Sequence, residues 1–206
     1  MNNGLEIPSI KYIPVWLRRI THCRGFGIQS PWAYRFVRYV VNEHYPYYVY
    51  DDLKDQLNEI EPVQRKLSRL YFRIANYRQP DHIIDFMSSC TVYDTMMKRG
   101  CRNSVIHHFE SGCTKQQIEE ILYDGEIDML RMSLKGNYES FYEKAVQYAG
   151  SSCLFILEDI YSSADTRSFW RRVTGDVRCS VTFDLYFCGV VFFDKKLFKT
   201  NYIINF

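Results

Sequence analysis

The stretch HIIDFMSSCTVYD, from His82 to Asp94, has the outline of a strand, a tight turn and the start of a helix. A short apolar run next to turn residues is typical of a buried strand. Turns of this kind often hold a nucleotide-like ligand in α/β proteins, and their glycines let the backbone approach that ligand closely. This stretch contains no glycine. It therefore predicts the shape of a binding turn without its usual residues.

The size and composition of the chain predict one folded domain with a smaller appendage. The chain has 206 residues, of which 47% are hydrophobic and 17% aromatic, and this is ample apolar material for a core. Its seven cysteines are widely spaced, without a CxxC pair or a cluster at zinc-ligand spacing. Reduced thiols in a cytoplasmic protein are therefore expected. Because no long apolar run is present, neither a signal peptide nor a membrane span is expected.

From residue 81 onward, short apolar runs alternate with amphipathic segments, which indicates a mostly parallel sheet with helices on its faces. The runs CSVTFDLYF and GVVFFD near the end lie too close together for a crossover helix, so they are expected to pair as an antiparallel hairpin. The other predicted strands are His82–Met87, Ser104–Phe109, Ile127–Met132 and Cys153–Glu158, and the predicted helices are Thr91–Lys98, Thr114–Tyr123, Tyr138–Tyr148 and Asp165–Val173.

Residues 1–80 are predicted to form a helical segment that packs on the domain of residues 81–206. Ser30 and Pro31 suit the start of one helix, and Pro62 is expected to interrupt a longer helical pattern. This segment is locally basic, although the net charge of the chain is only +2. Basic residues interleaved with Trp and Tyr fit contact with RNA or another acidic surface. More often, such residues form the solvent-exposed side of amphipathic helices.

Four stretches resemble a family of class I S-adenosylmethionine-dependent methyltransferases of Bacteroidetes-type bacteria. RGFGIQSPWAYRFV (24–37) is similar to the family's GHGIHSPFVYxLV, and KLSRLYFRIANYRQPDHIID (66–85) to its LLFRLVNYFKPKTILE. ILEDIYSSADTRSFWRRV (156–173) resembles a segment with FDDIYWS, and SVTFDLYFCGVVFF (180–193) resembles VTIDLFxxGxVFF. The resemblance implies a three-layer Rossmann-like methyltransferase fold and S-adenosylmethionine as cofactor. It leaves the methyl acceptor and the oligomeric state open.

The family's first-strand motif, ILELGTSxG, aligns with the opening stretch. Asp85 takes the acidic place, Ser88 and Ser89 keep the small polar pair, and Met87 and Thr91 stand where the family has glycines. The resemblance thus makes Asp85, Met87, Ser88 and Ser89 the candidate cofactor residues. Met87 would project a long side chain into or beside the cofactor's volume. Asp85 has an alternative role as a local hydrogen-bonding group.

The second strand supplies one more candidate cofactor residue. HHFESGC (107–113) resembles the family's TIEGCP, which places Glu110 at the ribose-binding position. The alternative is a solvated carboxylate in a loop. Farther on, Ser133 replaces the family's acidic residue. The interval from Glu110 to Ile127 is short, so the sheet is expected to lack one strand-helix unit.

The adjacent acids at the end of the predicted strand Cys153–Glu158 give the candidate catalytic residues. Asp159 is expected to face the crevice with Tyr161 beside it, although both Glu158 and Asp159 fit helix capping or solvent exposure as well. Asp184 lies between apolar neighbours, and a buried carboxylate needs a partner. We expect Arg171 or Arg172 to pair with it.

The resemblance also places Gln29, Ser30 and Trp32 at the mouth of the crevice as candidate substrate-binding residues. His107 and His108 are adjacent in a strand and point to opposite faces, so no metal site is expected.

Two functions from different classes remain open on these grounds. One is an active methyltransferase with an altered cofactor loop, acting on a small molecule, RNA or protein. The other is a non-catalytic binding or assembly module, that is, a pseudoenzyme. The two missing glycines, the missing acid and the shortened sheet together favour weak or absent catalysis.

Overall fold

The computed structural model describes residues 12–22, 25–88, 90–112, 115–121 and 127–206. This part contains one seven-stranded sheet with the order β2-β1-β3-β4-β6-β5-β7. Its strands are β1 (His82–Phe86), β2 (Val105–Phe109), β3 (Met129–Ser133), β4 (Leu154–Glu158), β5 (Val181–Asp184), β6 (Cys188–Phe192) and β7 (Thr200–Ile203). The first four are parallel, and β6 runs antiparallel to both β4 and β5. The predicted mixed sheet with its hairpin is confirmed.

The helices of the described residues lie on both faces of the sheet. They are α1 (Ile13–Arg18), α2 (Pro31–Phe36), α3 (Tyr48–Asp52), α4 (Lys54–Glu59), α5 (Pro62–Arg78), α6 (Thr91–Gly100), α7 (Lys115–Ile121), α8 (Tyr138–Ala145) and α9 (Ala164–Gly175). None of these helices is long and apolar enough to cross a membrane.

The N-terminal helices are joined to the rest of the fold by specific contacts. The Ser30 hydroxyl accepts a hydrogen bond from the Ala33 amide and so caps α2, as its sequence predicts. After α2 the chain continues as a π-helical turn, whose last carbonyls lack normal helical partners. The buried Arg73 of α5 supplies them: its guanidinium donates to the carbonyls of Val40 (2.6 Å) and Val41 (3.0 Å).

The sheet and the helices on its two faces form three layers, with one apolar cluster on each face of the sheet. On one face of the sheet, the N-terminal helices, α5 and α6 pack on residues such as Ile83 and Ile156. On the other face, α8 and α9 pack on residues such as Ile84 and Phe155. The predicted boundary near residue 80 falls between α5 and β1, yet the helices before it share one core with the sheet.

The sheet ends at β2 on one side. Doubly wound sheets place a further strand outside this position, and here the described chain between β2 and β3 holds only α7. This agrees with the predicted loss of one strand-helix unit. As a result β2 is an edge strand, and its Val105 is 46% exposed. On the opposite side, β7 pairs in parallel with β5 and forms an edge that the sequence did not predict.

Candidate functional site

The carboxyl ends of the parallel strands lie at one edge of the sheet, where ligands of open α/β sheets bind. Three non-glycine residues near this edge have a left-handed backbone. They are Met87 after β1 (φ 56°), Asp159 after β4 (φ 64°) and Tyr186 in the turn between β5 and β6 (φ 72°). Such backbone strain clusters at functional sites, so this edge is the candidate functional site.

Met87 lies between the loops that follow three strands. Its amide donates to the Phe109 carbonyl (2.9 Å), and its sulfur accepts a hydrogen bond from the Ser111 amide (3.0 Å). A Cβ built on Gly136 would lie 2.6 Å from Ser111 Oγ and 3.9 Å from Met87 Cε. The Met87 thioether therefore fills the space where the loops after β1, β2 and β3 meet.

The other residues of this turn make few contacts. Ser88 is exposed, and its hydroxyl lies 3.5 Å from the Cys90 carbonyl oxygen. Ser89 lies outside the described residues. Thr91 is the first residue of α6.

A buried ion-pair network lies on the face of the sheet below α5 and α6. Arg131 of β3 donates from Nε to Asp85 and from Nη1 to Glu158 Oε1 (2.6 Å). The Tyr71 hydroxyl donates to the same Glu158 oxygen at 2.5 Å. Burial acts to lower the pKa of Arg131, but the charges of Glu158 and Asp85 outweigh this effect and raise that pKa. The guanidinium therefore stays charged, and the candidate cofactor residue Asp85 binds a cation of the protein itself.

His108 lies beside Asp85 on this face. Its Nδ1 is 3.1 Å from Asp85 Oδ2, and its Nε2 is 3.1 Å from Asp94 Oδ2. Burial raises the pKa of Asp94, and the negative charge of Asp85 adds to this shift. On the opposite face, His107 Nε2 is 3.2 Å from His82 Nδ1. The two neighbouring histidines thus point to opposite faces, as the strand geometry predicts.

Asp159 extends the polar contacts along the edge. Its Oδ2 accepts a hydrogen bond from the Ser133 hydroxyl (3.0 Å) and lies 3.8 Å from Lys135 Nζ. Its amide donates to the Phe187 carbonyl, which fixes the strained backbone against the hairpin turn. A catalytic role for Asp159 stays a prediction.

Tyr161 belongs to a second polar cluster, centred on Asp184. The Tyr161 hydroxyl donates to Asp184 Oδ2 (2.6 Å), which also lies 3.3 Å from Trp170 Nε1. Asp184 Oδ1 accepts from Arg19 Nη2 (2.7 Å) and from the Tyr186 amide (2.9 Å). Burial and Asp184 raise the pKa of Tyr161 to about 12. Its hydroxyl proton is therefore held by Asp184, and a catalytic role for Tyr161 also stays a prediction.

The prediction that Arg171 or Arg172 forms an ion pair with Asp184 was wrong. Arg19, from the N-terminal segment, forms the ion pair. Arg171 is exposed, and Arg172 pairs with Glu139 at 2.7 Å. The partner is distant in the sequence, so the residues of α9 near Asp184 could not indicate it.

Glu110 lies at the outer side of this edge. It is exposed and lines a cavity of about 420 Å³ beside β2. The residues lining this cavity are His108, Phe109, Glu110, Ser111, Gly112, Gln117 and Glu120. Its role in binding ribose stays a prediction.

The structure does not bring the predicted substrate residues to this edge. The Trp32 ring packs edge-on against Phe192, with ring centroids 4.8 Å apart. Phe192 pairs with Leu154, the first residue of β4, so Trp32 lies toward the amino ends of the strands. The Ser30 hydroxyl caps α2, and Gln29 is exposed beside it.

Two side chains that the sequence did not single out contribute to the site, Arg131 and Asp94, together with His108, for which no metal role was expected. Their signal was their place in the β-α-β unit. Asp94 lies in the first turn of the helix after β1, and His108 stands opposite Asp85 in the parallel pair. Arg131 is a charged residue within a predicted buried strand, which by itself indicates a buried ion pair.

No family model and no curated protein matches this sequence. Several solved structures share its fold. Cofactor-bound Rv0187 from MTB is 8% identical, with 71% of this chain and 88% of that chain covered and a TM-score of 0.50. The SAH-bound methyltransferase PaMTH1 of Podospora anserina is 11% identical, with 80% and 96% covered and a TM-score of 0.51. A putative O-methyltransferase from Klebsiella pneumoniae is 11% identical, with 74% and 92% covered and a TM-score of 0.50. The chain therefore has the Rossmann-like fold of class I methyltransferases.

Proposed function

We propose that this chain is a methyltransferase-like protein with weak or no catalysis, which uses the fold as a binding or assembly module. The observation that carries this proposal is the position of Met87. Its thioether contacts Ser111 and lies beside Gly136, where the loops after β1, β2 and β3 meet. Ligands of open α/β sheets bind at this end of the strands, so we infer that the thioether takes volume that S-adenosylmethionine would need. A cofactor there also requires a close approach to the backbone, which glycines permit. The residues present do not fit the cofactor in that position.

The ion-pair network supports the same proposal. Asp85 has one oxygen bonded to Arg131 and the other beside His108, so both of its oxygens already face side chains of the protein. The short chain between β2 and β3 gives further support, because the missing unit would normally extend the wall of the crevice beyond β2.

An alternative proposal is an active methyltransferase that binds S-adenosylmethionine in an altered position. The cavity beside β2 favours it, since about 420 Å³ lies within the range of small-molecule sites. Glu110 would then hold the ribose, and Asp159 and Tyr161 would be the candidate catalytic residues. The acceptor would be a small molecule, RNA or protein. Of the basic segment, Arg18, Arg35 and Arg38 are exposed and remain candidates for contact with RNA.

Ligand titration separates the two proposals. The purified chain is titrated with S-adenosylmethionine and S-adenosylhomocysteine by calorimetry, and its Tm is measured at up to ~1 mM ligand. A ligand at 100 times its Kd should stabilise the fold by about 2.7 kcal/mol, so binding would raise the Tm visibly. The non-catalytic module predicts no heat and no shift. Micromolar binding that is lost in Glu110→Gln would support the altered-position enzyme instead.

A pair of variants tests the steric argument directly. The double variant Met87→Gly, Thr91→Gly places glycine at both positions, and Met87→Leu, Thr91→Gly keeps a bulky side chain at position 87 as the matched control. Binding that appears only in the variant with two glycines identifies the Met87 side chain as the obstacle. Equal binding by the two double variants would contradict the steric argument.

A further inference from the structure

Three side chains from three elements lie close together near the turn that contains Met87. They are Asp85 of β1, Asp94 of α6 and His108 of β2. Each offers one ligand atom, and these atoms lie within 4.8 Å of one another. Metal–nitrogen and metal–oxygen bonds of about 2.0–2.2 Å place ligand atoms of one ion roughly 3–3.5 Å apart. Small side-chain rotations would therefore close the group around a single ion.

The contacts of His108 with two carboxylates are compatible with a bound cation. Both ring nitrogens lie 3.1 Å from a carboxylate oxygen, one on Asp85 and one on Asp94. A neutral imidazole has a single N–H, so one of these contacts brings a nitrogen lone pair toward a carboxylate. In addition, Asp94 Oδ1 is buried and has no hydrogen-bond partner among the described residues. A buried, unpaired carboxylate oxygen is costly.

The count of charges leads to the same conclusion. The carboxylates of Asp85 and Glu158 pair with the guanidinium of Arg131, and a third carboxylate, that of Asp94, lies against His108. When the three carboxylates are ionised and His108 is neutral, this group carries two excess negative charges. A divalent cation would balance them.

We propose that Asp85, Asp94 and His108 bind a divalent transition-metal ion such as Zn²⁺. One imidazole nitrogen and two carboxylate oxygens suit Zn²⁺ and its neighbours better than Mg²⁺ or Ca²⁺, which prefer oxygen ligands alone. Arg131 binds the other oxygen of Asp85 and so fixes the orientation of the carboxylate, as partners of metal ligands do. The His108 side chain is 51% exposed, which gives the ion a path from solvent.

The bound ion would connect β2 to its neighbours. β2 has lost the strand that normally covers its outer side, and the ion would join it to β1 and to the first turn of α6. This proposal shares Asp85 with the one on S-adenosylmethionine, but the two are tested separately, because the titration with S-adenosylmethionine uses no metal ion and no variant of a metal ligand.

The test uses the full chain after treatment with a chelator. Zn²⁺ binding is measured by calorimetry and Tm, and Co²⁺ binding by visible absorption. We expect one ion per chain, a higher Tm with Zn²⁺ than with Mg²⁺, and at least a ten-fold loss of affinity in Asp94→Asn and His108→Ala. Circular dichroism verifies that both variants are folded.

A second histidine pair supplies the matched control. The ring nitrogens of His82 and His107 lie 3.2 Å apart on the opposite face of the sheet and are a rival site. We expect His107→Ala to retain wild-type affinity. Binding lost in His107→Ala and kept in His108→Ala would overturn the proposal. So would a Co²⁺ spectrum with thiolate charge-transfer bands, or no Zn²⁺ binding at ~1 mM.

Discussion

The two buried charge clusters of this protein are built in opposite ways. In the first, one guanidinium, that of Arg131, serves the two carboxylates of Asp85 and Glu158. In the second, one carboxylate, that of Asp184, is surrounded by several donors from Arg19, Tyr161 and other residues. The first cluster has more carboxylates than guanidinium groups, whereas the carboxylate of the second accepts hydrogen bonds from several donors.

This difference shows which residues each cluster can lose. Without Arg131, Glu158 keeps the Tyr71 hydroxyl and Asp85 keeps His108, whereas Asp184 without Arg19 keeps Tyr161, Trp170 and the Tyr186 amide. A buried charge that keeps fewer partners also keeps more of its desolvation cost. Substitutions of Arg131 and of Arg19 test this difference most directly.

Replacing Arg131 with Met should have the largest effect. The change leaves Asp85 and Glu158 without their shared cation, and breaking a buried pair in this way costs about 3–5 kcal/mol. The free energy of unfolding from urea titration measures the loss. The control is Arg131→Met combined with Asp85→Asn and Glu158→Gln, which removes the uncompensated charges and should recover part of the stability. A loss below about 1 kcal/mol in the single variant would contradict the comparison.

Gly189→Ala should disrupt the second cluster through packing. A Cβ on Gly189 would lie 2.3 Å from the Trp170 ring, and Trp170 donates to Asp184. Overpacking of this kind costs about 1–3 kcal/mol. Gly175→Ala is the matched control, because no atom lies within 4 Å of its added Cβ. Equal unfolding free energies for the two variants would show that Trp170 moves aside at no cost.

Arg19→Met should cost less than Arg131→Met. Asp184 keeps its hydrogen bonds from Tyr161, Trp170 and the Tyr186 amide, so the loss is that of one charged hydrogen-bond partner, about 1.5 kcal/mol. Urea titration under the same conditions gives the two values side by side. An effect as large as that of Arg131→Met would mean that the remaining donors do not compensate the buried charge of Asp184.

Met87→Gly should have the smallest effect on stability, within about 1 kcal/mol of the wild type. Glycine relieves the left-handed backbone of Met87, and this gain offsets the lost contacts of the thioether. Met87→Ala keeps a Cβ at the same φ and loses the same contacts. Thermal unfolding should therefore rank Ala below Gly, and the reverse order would contradict backbone strain at this position.

The fold could be predicted to a large extent because its signals are local. Strand and helix periods, and a linker near Cys188 too short for a crossover, determined the mixed sheet and its hairpin. The interval between Glu110 and Ile127 likewise predicted the shortened sheet. The strand Thr200–Ile203 was missed, because four residues at the end of a chain carry almost no periodic signal.

The site could be predicted only in part, because its contacts join distant residues. Met87 was identified from its place in a glycine-dependent turn. The pairing of Arg19 with Asp184 spans 165 positions, and no local pattern reveals it. Trp32 was expected near the crevice from resemblance alone, whereas its ring follows the packing of its helix against Phe192.

The edge position of β2 has a consequence for hydrogen exchange. In a parallel ladder, successive amides point to alternate sides of the strand, so only every second amide of Val105–Phe109 can be protected by β1. Deuterium uptake along β2 should therefore alternate between fast and slow residues. If another molecule provides the absent neighbouring strand, its addition should slow deuterium uptake at the fast residues, so that all amides of β2 then exchange slowly.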